Sequence, residues 1–310
     1  MPIRLQPLQI LFLAVLCLAA PSAETQDCNG DPALQILGSG GPIADDERAS
    51  SGYLLWRDGR AVALIDAGGG TFQRFGASGA ALETLELIAI THVHTDHIAD
   101  LPALLKGAYF SDRKRDLPIA GPTGNARFPG LNAYLESMFD ANRGAFRYLS
   151  GLLDGSGRLF RLDRLNIDRQ AREPLTVLES EGMNVAALGV HHGPVPSLAY
   201  RFDFGDIGVV ISGDQNLSTE GFIEFAADAD VLVMPFAIPE NAGRAARNLH
   251  ATPSAIGKAA AEIGAAHLVL SHFMARSLRN LDAQLENVRA HYKGPVTLAE
   301  DLKCIALSGS

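Results

Sequence analysis

Histidine and aspartate side chains crowd into one short stretch of this 310-residue chain. Residues 90–98 read Ile-Thr-His-Val-His-Thr-Asp-His-Ile and follow an apolar run that predicts a short buried strand. His92 and His94 are two positions apart, so on an extended backbone their rings point the same way, and Asp96 and His97 lie beyond the turn. Neutral imidazole suits zinc and similar transition metals, and a carboxylate adds a charged oxygen ligand. The spacing therefore predicts a metal site at a strand end.

More groups of the same kind occur later in the chain. Each directly follows an apolar run that predicts a strand: His191, His192, Asp214 and His272. Five of the nine histidines lie in clusters beside predicted strand ends, His92/His94/His97 and His191/His192. This clustering favours a metal site over a solvated loop that happens to be rich in histidine. Residues 98–109 carry apolar side chains at helical spacing, so a helix is expected directly after His97.

The pattern His92-x-His94-x-Asp96-His97 resembles the HxHxDH signature of the metallo-β-lactamase superfamily, and its wider context resembles the ribonuclease Z-like branch. The resemblance extends over residues 34–307. Its further motifs follow in order: Leu37-Gly38-Ser39-Gly40-Gly41, Leu64-Ile65-Asp66-Ala67-Gly68, Ser212-Gly213-Asp214 and Leu268-Val269-Leu270-Ser271-His272-Phe273. It implies an α/β (α+β) fold, a four-layer αβ/βα sandwich with the site at the edge between two sheets.

The resemblance also implies two Zn²⁺ ions per chain, although imidazole and carboxylate ligands suit iron and manganese as well. The implied ligands are His92, His94 and His192 on one ion, Asp96, His97 and His272 on the other, and Asp214 on both. His192 is preferred to His191 because it precedes Gly193-Pro194, and a one-residue change of register would exchange the two.

Asp66 is implied to orient the metal loop without binding metal, and the alternative is an ordinary turn aspartate. With Asp96 and His250 it makes up the expected catalytic set.

Residues 248–252, Asn-Leu-His-Ala-Thr, are similar to the His-Ser-Thr element of ribonuclease Z-like phosphodiesterases. That element's histidine assists the leaving group or steadies the phosphoryl oxygens, which implies such a role for His250; the alternative is a loop histidine without chemistry. Thr252 is a suitable N-cap, so a helix is expected over residues 254–263. Arg276 falls where the branch has an arginine and is a candidate substrate-binding residue, but Ser277 replaces the tyrosine expected next.

These residues together predict a metallo-hydrolase. Two cations lower the pKa of a bridging water, so that hydroxide is available near neutral pH, and stabilise charge on the attacked centre. His250 and Arg276 favour a phosphodiester, while esters, lactones, aryl sulfates and β-lactams are alternatives on the same fold. An alternative of another class is a non-catalytic metal-binding scaffold.

The first 22 residues differ in composition from the rest. Arg4 is their only charged residue, residues 8–20 form an apolar run too short to span a bilayer comfortably, and Ala20-Pro21-Ser22 supplies small residues before a cleavage point. We predict a signal peptide over residues 1–22 and a periplasmic or secreted protein; an uncleaved anchor or a buried first helix are the alternatives.

The net charge of −9 does not favour a polyanionic partner. We therefore expect a small-molecule or extracytoplasmic substrate, without a nucleic-acid partner or a stable membrane anchor. The residues do not decide between a monomer and a homodimer.

Removal of the signal peptide would take away Cys17 and leave Cys28 and Cys304 in an oxidising compartment. In the implied fold the first and last strands lie at sheet edges, so we hypothesise a disulfide between these two cysteines; two unpaired cysteines are the alternative. We expect one domain over residues 23–310. Within it, residues 143–170 would be an insertion that either overhangs the site or packs over the core.

Overall fold

The computed structural model describes residues 28, 30–168, 170–171 and 173–307. The expected signal peptide, residues 1–22, lies outside the described residues. The strands are β1 Ala33–Gly38, β2 Gly52–Arg57, β3 Arg60–Ile65, β4 Leu87–Ala89, β5 Leu117–Pro122, β6 Leu162–Ile167, β7 Leu175–Ser180, β8 Met183–His192, β9 Val195–Phe204, β10 Ile207–Ile211, β11 Val231–Pro235, β12 His267–Ser271, β13 Val296–Leu298 and β14 Cys304–Ala306.

Short helices connect many of these strands. The α-helices are α1 Thr71–Ala77, α2 Thr95–Ile98, α3 Leu101–Lys106, α4 Leu131–Phe139, α5 Gly151–Asp154, α6 Phe222–Phe225, α7 Arg244–Arg247, α8 Pro253–Ile263, α9 Ala275–Leu278 and α10 Leu281–Arg289, with 3₁₀ turns at Gly107–Phe110 and Arg147–Leu149. Within the described part of the chain, no helix combines the length and apolar character that crossing a membrane requires.

Two seven-stranded sheets carry the fold. Their strand orders are β14-β1-β2-β3-β4-β5-β6 and β13-β12-β11-β10-β9-β8-β7. In both sheets one half is antiparallel, β1–β3 or β7–β10, and the following strands β3–β6 or β10–β13 run parallel. Because parallel strands bring their carboxyl ends to one edge, the loops after β3, β4, β10 and β12 can meet there. The predicted αβ/βα sandwich is confirmed.

Both faces of the first sheet are buried. Along β2, Tyr53 and Leu55 belong to the core between the two sheets, whereas Leu54 and Trp56 belong to a second core under helices α1, α3 and α4. This follows from the alternation of side chains along a strand. A sheet covered on both faces needs continuous apolar strands, which explains why β1–β4 contain so few polar residues.

Residues 143–168 combine a solvated face with apolar side chains that pack over the core. Leu149, Leu152, Phe160 and Leu162 are buried in the cluster beneath α4, and β6 forms the edge of the first sheet. The packing alternative therefore describes these side chains.

The two ends of the described chain are joined covalently. Cys304 lies on β14, which pairs with β1, and it forms a disulfide with Cys28 across a Cα–Cα distance of 5.5 Å. The hypothesised Cys28–Cys304 pairing is present in the structure. It ties the segment before β1 to the edge strand of the first sheet.

Candidate metal centre

The polar side chains predicted from the sequence meet around one carboxylate, that of Asp214 at the end of β10. Its Oδ2 lies 4.0 Å from Nε2 of His92 after β4, and 3.7 Å from Nε2 of His192 at the end of β8. The same oxygen lies 3.7 Å from Nε2 of His97 on α2, and 3.3 Å from Nε2 of His272 after β12. Four separate loops thus deliver their side chains to a single point.

The cluster divides into two groups on either side of Asp214. In the first, His92 Nε2 lies 3.0 Å from His94 Nδ1, and His192 completes a set whose ligand atoms lie within 4.8 Å of one another. In the second, Asp96 Oδ2 is 3.6 Å from His97 Nε2 and 3.3 Å from His272 Nε2. These are the two groups that the resemblance implied.

Several buried atoms that face this point have no hydrogen-bond partner among the residues that the structure describes. They are His97 Nε2, Asp214 Oδ1, His250 Nδ1 and His272 Nε2. Leaving such groups unsatisfied costs about 1–3 kcal/mol each, so folded proteins rarely do so without a ligand to complete them. Nitrogen and carboxylate oxygen donors in this number fit two cations of the zinc, iron or manganese type.

The chain holds the outward-facing ring nitrogens of His92, His97 and His192. Asp66, which directly follows β3, accepts hydrogen bonds from Thr91 N at 2.7 Å and Thr91 Oγ1 at 2.8 Å, and His97 Nδ1 lies 2.7 Å from its Oδ2. Thr91 Oγ1 in turn lies 3.0 Å from His92 Nδ1, and His192 Nδ1 lies 2.8 Å from the carbonyl oxygen of Leu249. Such contacts fix the tautomer and the direction of a metal-binding ring.

Close backbone approach explains the glycine at position 68. A Cβ at Gly68 would stand 2.1 Å from the carbonyl oxygen of Asp96, so only glycine fits beside the metal loop. Ala67 N donates to His97 O at 2.7 Å, and Asp100 Oδ2 accepts from Gly70 N at 2.8 Å. The loop after β3 and helix α2 are therefore locked together.

His272 adopts a left-handed backbone conformation, with φ of 57°. Its neighbour Phe273 is held on both sides, because Phe273 N donates to Ser39 O at 2.9 Å and Phe273 O accepts from Gly41 N at 2.9 Å. Asp301 anchors the Ser39 segment, 262 residues away in the sequence, by accepting bonds from Ser39 N at 3.0 Å and Ser39 Oγ at 2.9 Å. Asp301 and Thr91 were not predicted from the sequence, since no local motif marks them.

Burial and neighbouring charges shift the pKa values of the side chains in this cluster, some upward and some downward. Burial lowers the pKa of His92 well below its usual value. Burial would also lower the pKa of His97, but the carboxylates of Asp66 and Asp214 raise it well above its usual value. Burial would raise the pKa of Asp214, but the surrounding histidines hold it well below the usual range. The centre therefore keeps a negative charge on Asp214, which suits a cation.

His250 and Arg276 lie beside the cluster. His250 is buried, and its Nδ1 lies 3.8 Å from Asp214 Oδ2. Burial lowers the pKa of His250 to about 3, with Asp214 opposing the shift and the charges of His272, His192 and Arg276 adding to it. Arg276 is exposed, and its Nε donates to the carbonyl oxygen of Ala237 at 2.9 Å.

The fold distinguishes the two adjacent histidines at the end of β8. His191 points away from Asp214, with its Nε2 3.3 Å from Asn248 Oδ1, so His192 is the histidine that the fold brings to the centre.

Thr252 occupies the N-cap position of α8, but its side chain makes no capping bond. Glu240 takes that role instead, since its carboxylate accepts from Ser254 N at 2.8 Å and Ser254 Oγ at 2.6 Å.

Comparison with known proteins agrees with this geometry. The family model described as a beta-lactamase superfamily domain matches residues 62–273, more than half of the chain and all the clustered side chains. The chain belongs to the beta-lactamase superfamily.

Similar curated proteins narrow the branch of this superfamily. Ribonuclease Z of Mycobacterium avium (strain 104) is 29% identical over 283 residues, which cover 86% of this chain and 95% of that protein. Ribonuclease Z of Haloferax volcanii is 26% identical over 299 residues, covering 86% of this chain and 92% of that protein. The resemblance to the ribonuclease Z-like branch is thus confirmed.

Solved structures agree on the fold. The short form of human tRNase Z has a TM-score of 0.67 and 23% identity, covering 89% of this chain and 99% of that one. The metallo-beta-lactamase fold protein YhfI from Bacillus subtilis has a TM-score of 0.66 and 22% identity, covering 88% of this chain and 99% of that one. This member of the superfamily is therefore a ribonuclease Z-like metallo-hydrolase in its architecture.

Proposed function

We propose that this protein is a zinc-type, two-metal hydrolase of phosphodiesters. The observation that carries the proposal is the convergence of seven imidazole and carboxylate side chains on Asp214. The four buried atoms of this cluster named above have no hydrogen-bond partner among the described residues. His250 beside the same carboxylate favours a phosphodiester among the substrates that the fold can serve.

The two cations would be held by the two groups of side chains described above, with Asp214 between them. When bound, they would activate water as a nucleophile and offset the charge that develops on the phosphoryl oxygens. Iron or manganese would serve the same donor set.

The chain's own residues orient and complete this chemistry. Asp66 holds His97 with one nitrogen directed outward, so its Nε2 is available as a ligand atom. Asp96 adds a carboxylate whose pKa of about 2, lowered by His272 and His97 against the effect of burial, keeps it charged. A charged Asp96 and a charged Asp214 together neutralise part of the repulsion between two cations.

His250 would act on the leaving oxygen. With a pKa of about 3 its ring is neutral near neutral pH, so it would donate a hydrogen bond rather than carry a positive charge into the site. The neutral ring would hold the leaving oxygen as the P–O bond breaks, and water would supply the proton that the alkoxide takes up. Arg276, exposed beside His250, would attract the same anion.

We further propose that the protein works in the periplasm or outside the cell. The composition of residues 1–22 and a disulfide between Cys28 and Cys304 support this. A small or extracytoplasmic substrate follows from that location.

The test is turnover by metal-loaded protein spanning residues 23–310. Bis(p-nitrophenyl) phosphate would be compared with p-nitrophenyl acetate, a lactone and an aryl sulfate. We expect diester cleavage that falls about 100-fold in His250→Ala, as loss of a proton donor or hydrogen-bond donor typically costs. The control His291→Ala removes an exposed histidine and should change little.

A preference for the carboxylic ester, lactone or sulfate would keep the metal centre and replace the substrate. Full metal loading without turnover of any of the four would favour a non-catalytic scaffold.

A further inference from the structure

An open groove of about 720 Å³ lies beside α7, lined by Asn216, Arg244, Ala245, Arg247 and Asn248. We call it the Arg244 groove. It adjoins the metal centre through the chain itself, because Asn216 follows Asp214 by two residues and Asn248 precedes His250 by two. The two segments are joined where Asn216 Nδ2 donates to Asn248 O at 3.4 Å and Ala251 N donates to Gln215 O at 3.0 Å.

The groove is lined by positive charge, whereas the protein as a whole carries a net negative charge. The chain has 35 acidic and 26 basic residues, yet two guanidinium groups and two carboxamides line this groove without a carboxylate. The Arg244 side chain has no hydrogen bond or ion pair with any residue that the structure describes. Arg247 uses one nitrogen, Nη2, to donate to Glu240 O at 2.7 Å, which leaves the rest of its fork exposed. Such forks match the oxygens of phosphate and carboxylate groups.

The wall that carries the two arginines is fixed in place. Glu240 binds the first turn of α8 through Ser254, and its backbone N donates to Gln284 Oε1 at 2.8 Å. Arg276 holds the same segment at its start by donating to Ala237 O. A charged group on a supported segment binds an anion with less loss of conformational entropy than one on a mobile loop.

We propose that the Arg244 groove binds a second anionic group, a phosphate or carboxylate, that the substrate carries outside the scissile bond. The inference rests on the proposed phosphodiesterase function and narrows its substrates to diesters with a further anion. Ligand sites commonly measure about 300–1,000 Å³, so the groove is large enough for a nucleotide-sized moiety.

A matched pair of substrates isolates this contact. The p-nitrophenyl ester of thymidine 5′-phosphate and its 3′-phosphorylated form share one scissile bond and one leaving group, and differ only in the distant anion. We expect wild-type protein to cleave the 3′-phosphorylated ester with a kcat/KM about tenfold higher, the effect of one charge-assisted contact. Arg244→Gln should remove most of this preference and change cleavage of the other ester less than twofold.

Arg289→Gln, which alters an exposed arginine on α10, is the control and should keep the preference. Equal cleavage of the two esters by wild-type protein, or an equal loss for both in Arg244→Gln, would overturn the proposal.

Equilibrium binding separates this inference from the proposed function. Calorimetry would compare thymidine 3′,5′-bisphosphate with thymidine 5′-monophosphate on metal-loaded protein. We expect about tenfold tighter binding of the bisphosphate, reduced to near equality in Arg244→Gln. If neither ester is cleaved, the phosphodiesterase proposal fails, and the binding difference still decides the groove. Equal affinity for the two nucleotides in wild-type protein contradicts the groove even if both esters are cleaved.

Discussion

The metal centre and the surroundings of Arg113 both bury charge, but they treat it differently. Arg113 is 4% exposed, and its guanidinium donates to five backbone carbonyls, those of Leu82, Glu83, Leu85, Arg115 and Asp116. It also lies over the Phe160 ring, 5.4 Å from the centroid. Burial lowers the pKa of Arg113 to about 10, which still leaves it charged at neutral pH.

At the metal centre, by contrast, several buried polar atoms have no hydrogen-bond partner among the described residues. Within the described chain, these include Asp214 Oδ1 and four ring nitrogens: His97 Nε2, His250 Nδ1 and both nitrogens of His272. In contrast, Asp66, Thr91 and Leu249 contact the outward nitrogens of His97, His92 and His192. This contrast distinguishes charge that is buried for stability from charge that is buried for function. A charge buried for stability is enclosed by donors and acceptors of the protein, whereas a charge buried for function is completed on one side and left open on the other.

The largest effect is expected when the charge of Asp214 is neutralised. Asp214→Asn keeps the shape and removes the shared negative charge, so both cations should be held weakly. We expect metal content below one ion per chain by plasma mass spectrometry and at least about a 10³-fold loss of hydrolysis. The control Asp206→Asn, on the exposed turn between β9 and β10, should retain both. If Asp214→Asn retained both ions and the activity, Asp214 would not be needed to bind the metal pair.

The enclosed charge should behave in the opposite way. Arg113→Ala leaves several buried carbonyls without a donor, so we expect a loss of about 3 kcal/mol in the free energy of unfolding, measured in urea. Turnover per bound metal pair should stay unchanged at a temperature where the variant is folded. Lys114→Ala, an exposed neighbour, should cost under about 0.5 kcal/mol. An equally small cost for Arg113→Ala would mean that its hydrogen bonds contribute little.

A substitution of Asp66 tests the hydrogen bond that holds the outward nitrogen of His97. Asp66→Asn should let the His97 ring choose another tautomer, and weaken metal binding about 10–100-fold in a chelator competition titration. At saturating metal, most of the activity should return. A loss of activity that extra metal does not restore would instead place Asp66 in the reaction itself.

The smallest expected effect concerns the N-terminus of α8. Because Glu240 accepts bonds from Ser254 whereas the Thr252 side chain caps nothing, Glu240→Ala should lower the free energy of unfolding by about 1 kcal/mol. Thr252→Ala should change it by only about 0.3 kcal/mol. The reverse order of the two costs would restore Thr252 as the cap.

The sequence was informative where one short segment carries both the residues and the reason for their placement. The metal loop, Asp214 and His272 could be predicted because each follows an apolar strand, and parallel strands bring such ends together. The helix expected over residues 98–109 is divided into the end of α2, α3 and a 3₁₀ turn. The break falls at Asp100, whose carboxylate binds the loop after β3.

Contacts between segments that are far apart in the sequence could not be predicted from it. Arg113 looks like any arginine in the polar run Asp112-Arg113-Lys114-Arg115, and its acceptors lie up to 31 residues earlier. Asp301 reaches Ser39 across 262 residues, and Glu240 caps a helix that has a better local candidate in Thr252. In each case the partner is chosen by the tertiary fold, so the residue's own neighbours carry no signal.

Our proposal places two cations on either side of Asp214. Anomalous diffraction from crystals of metal-loaded protein, recorded above and below the absorption edge of the bound metal, tests it most directly. We predict two peaks, one contacting His92, His94 and His192 and the other contacting Asp96, His97 and His272, with Asp214 touching both. A single peak, or peaks that these side chains do not contact, would contradict the account.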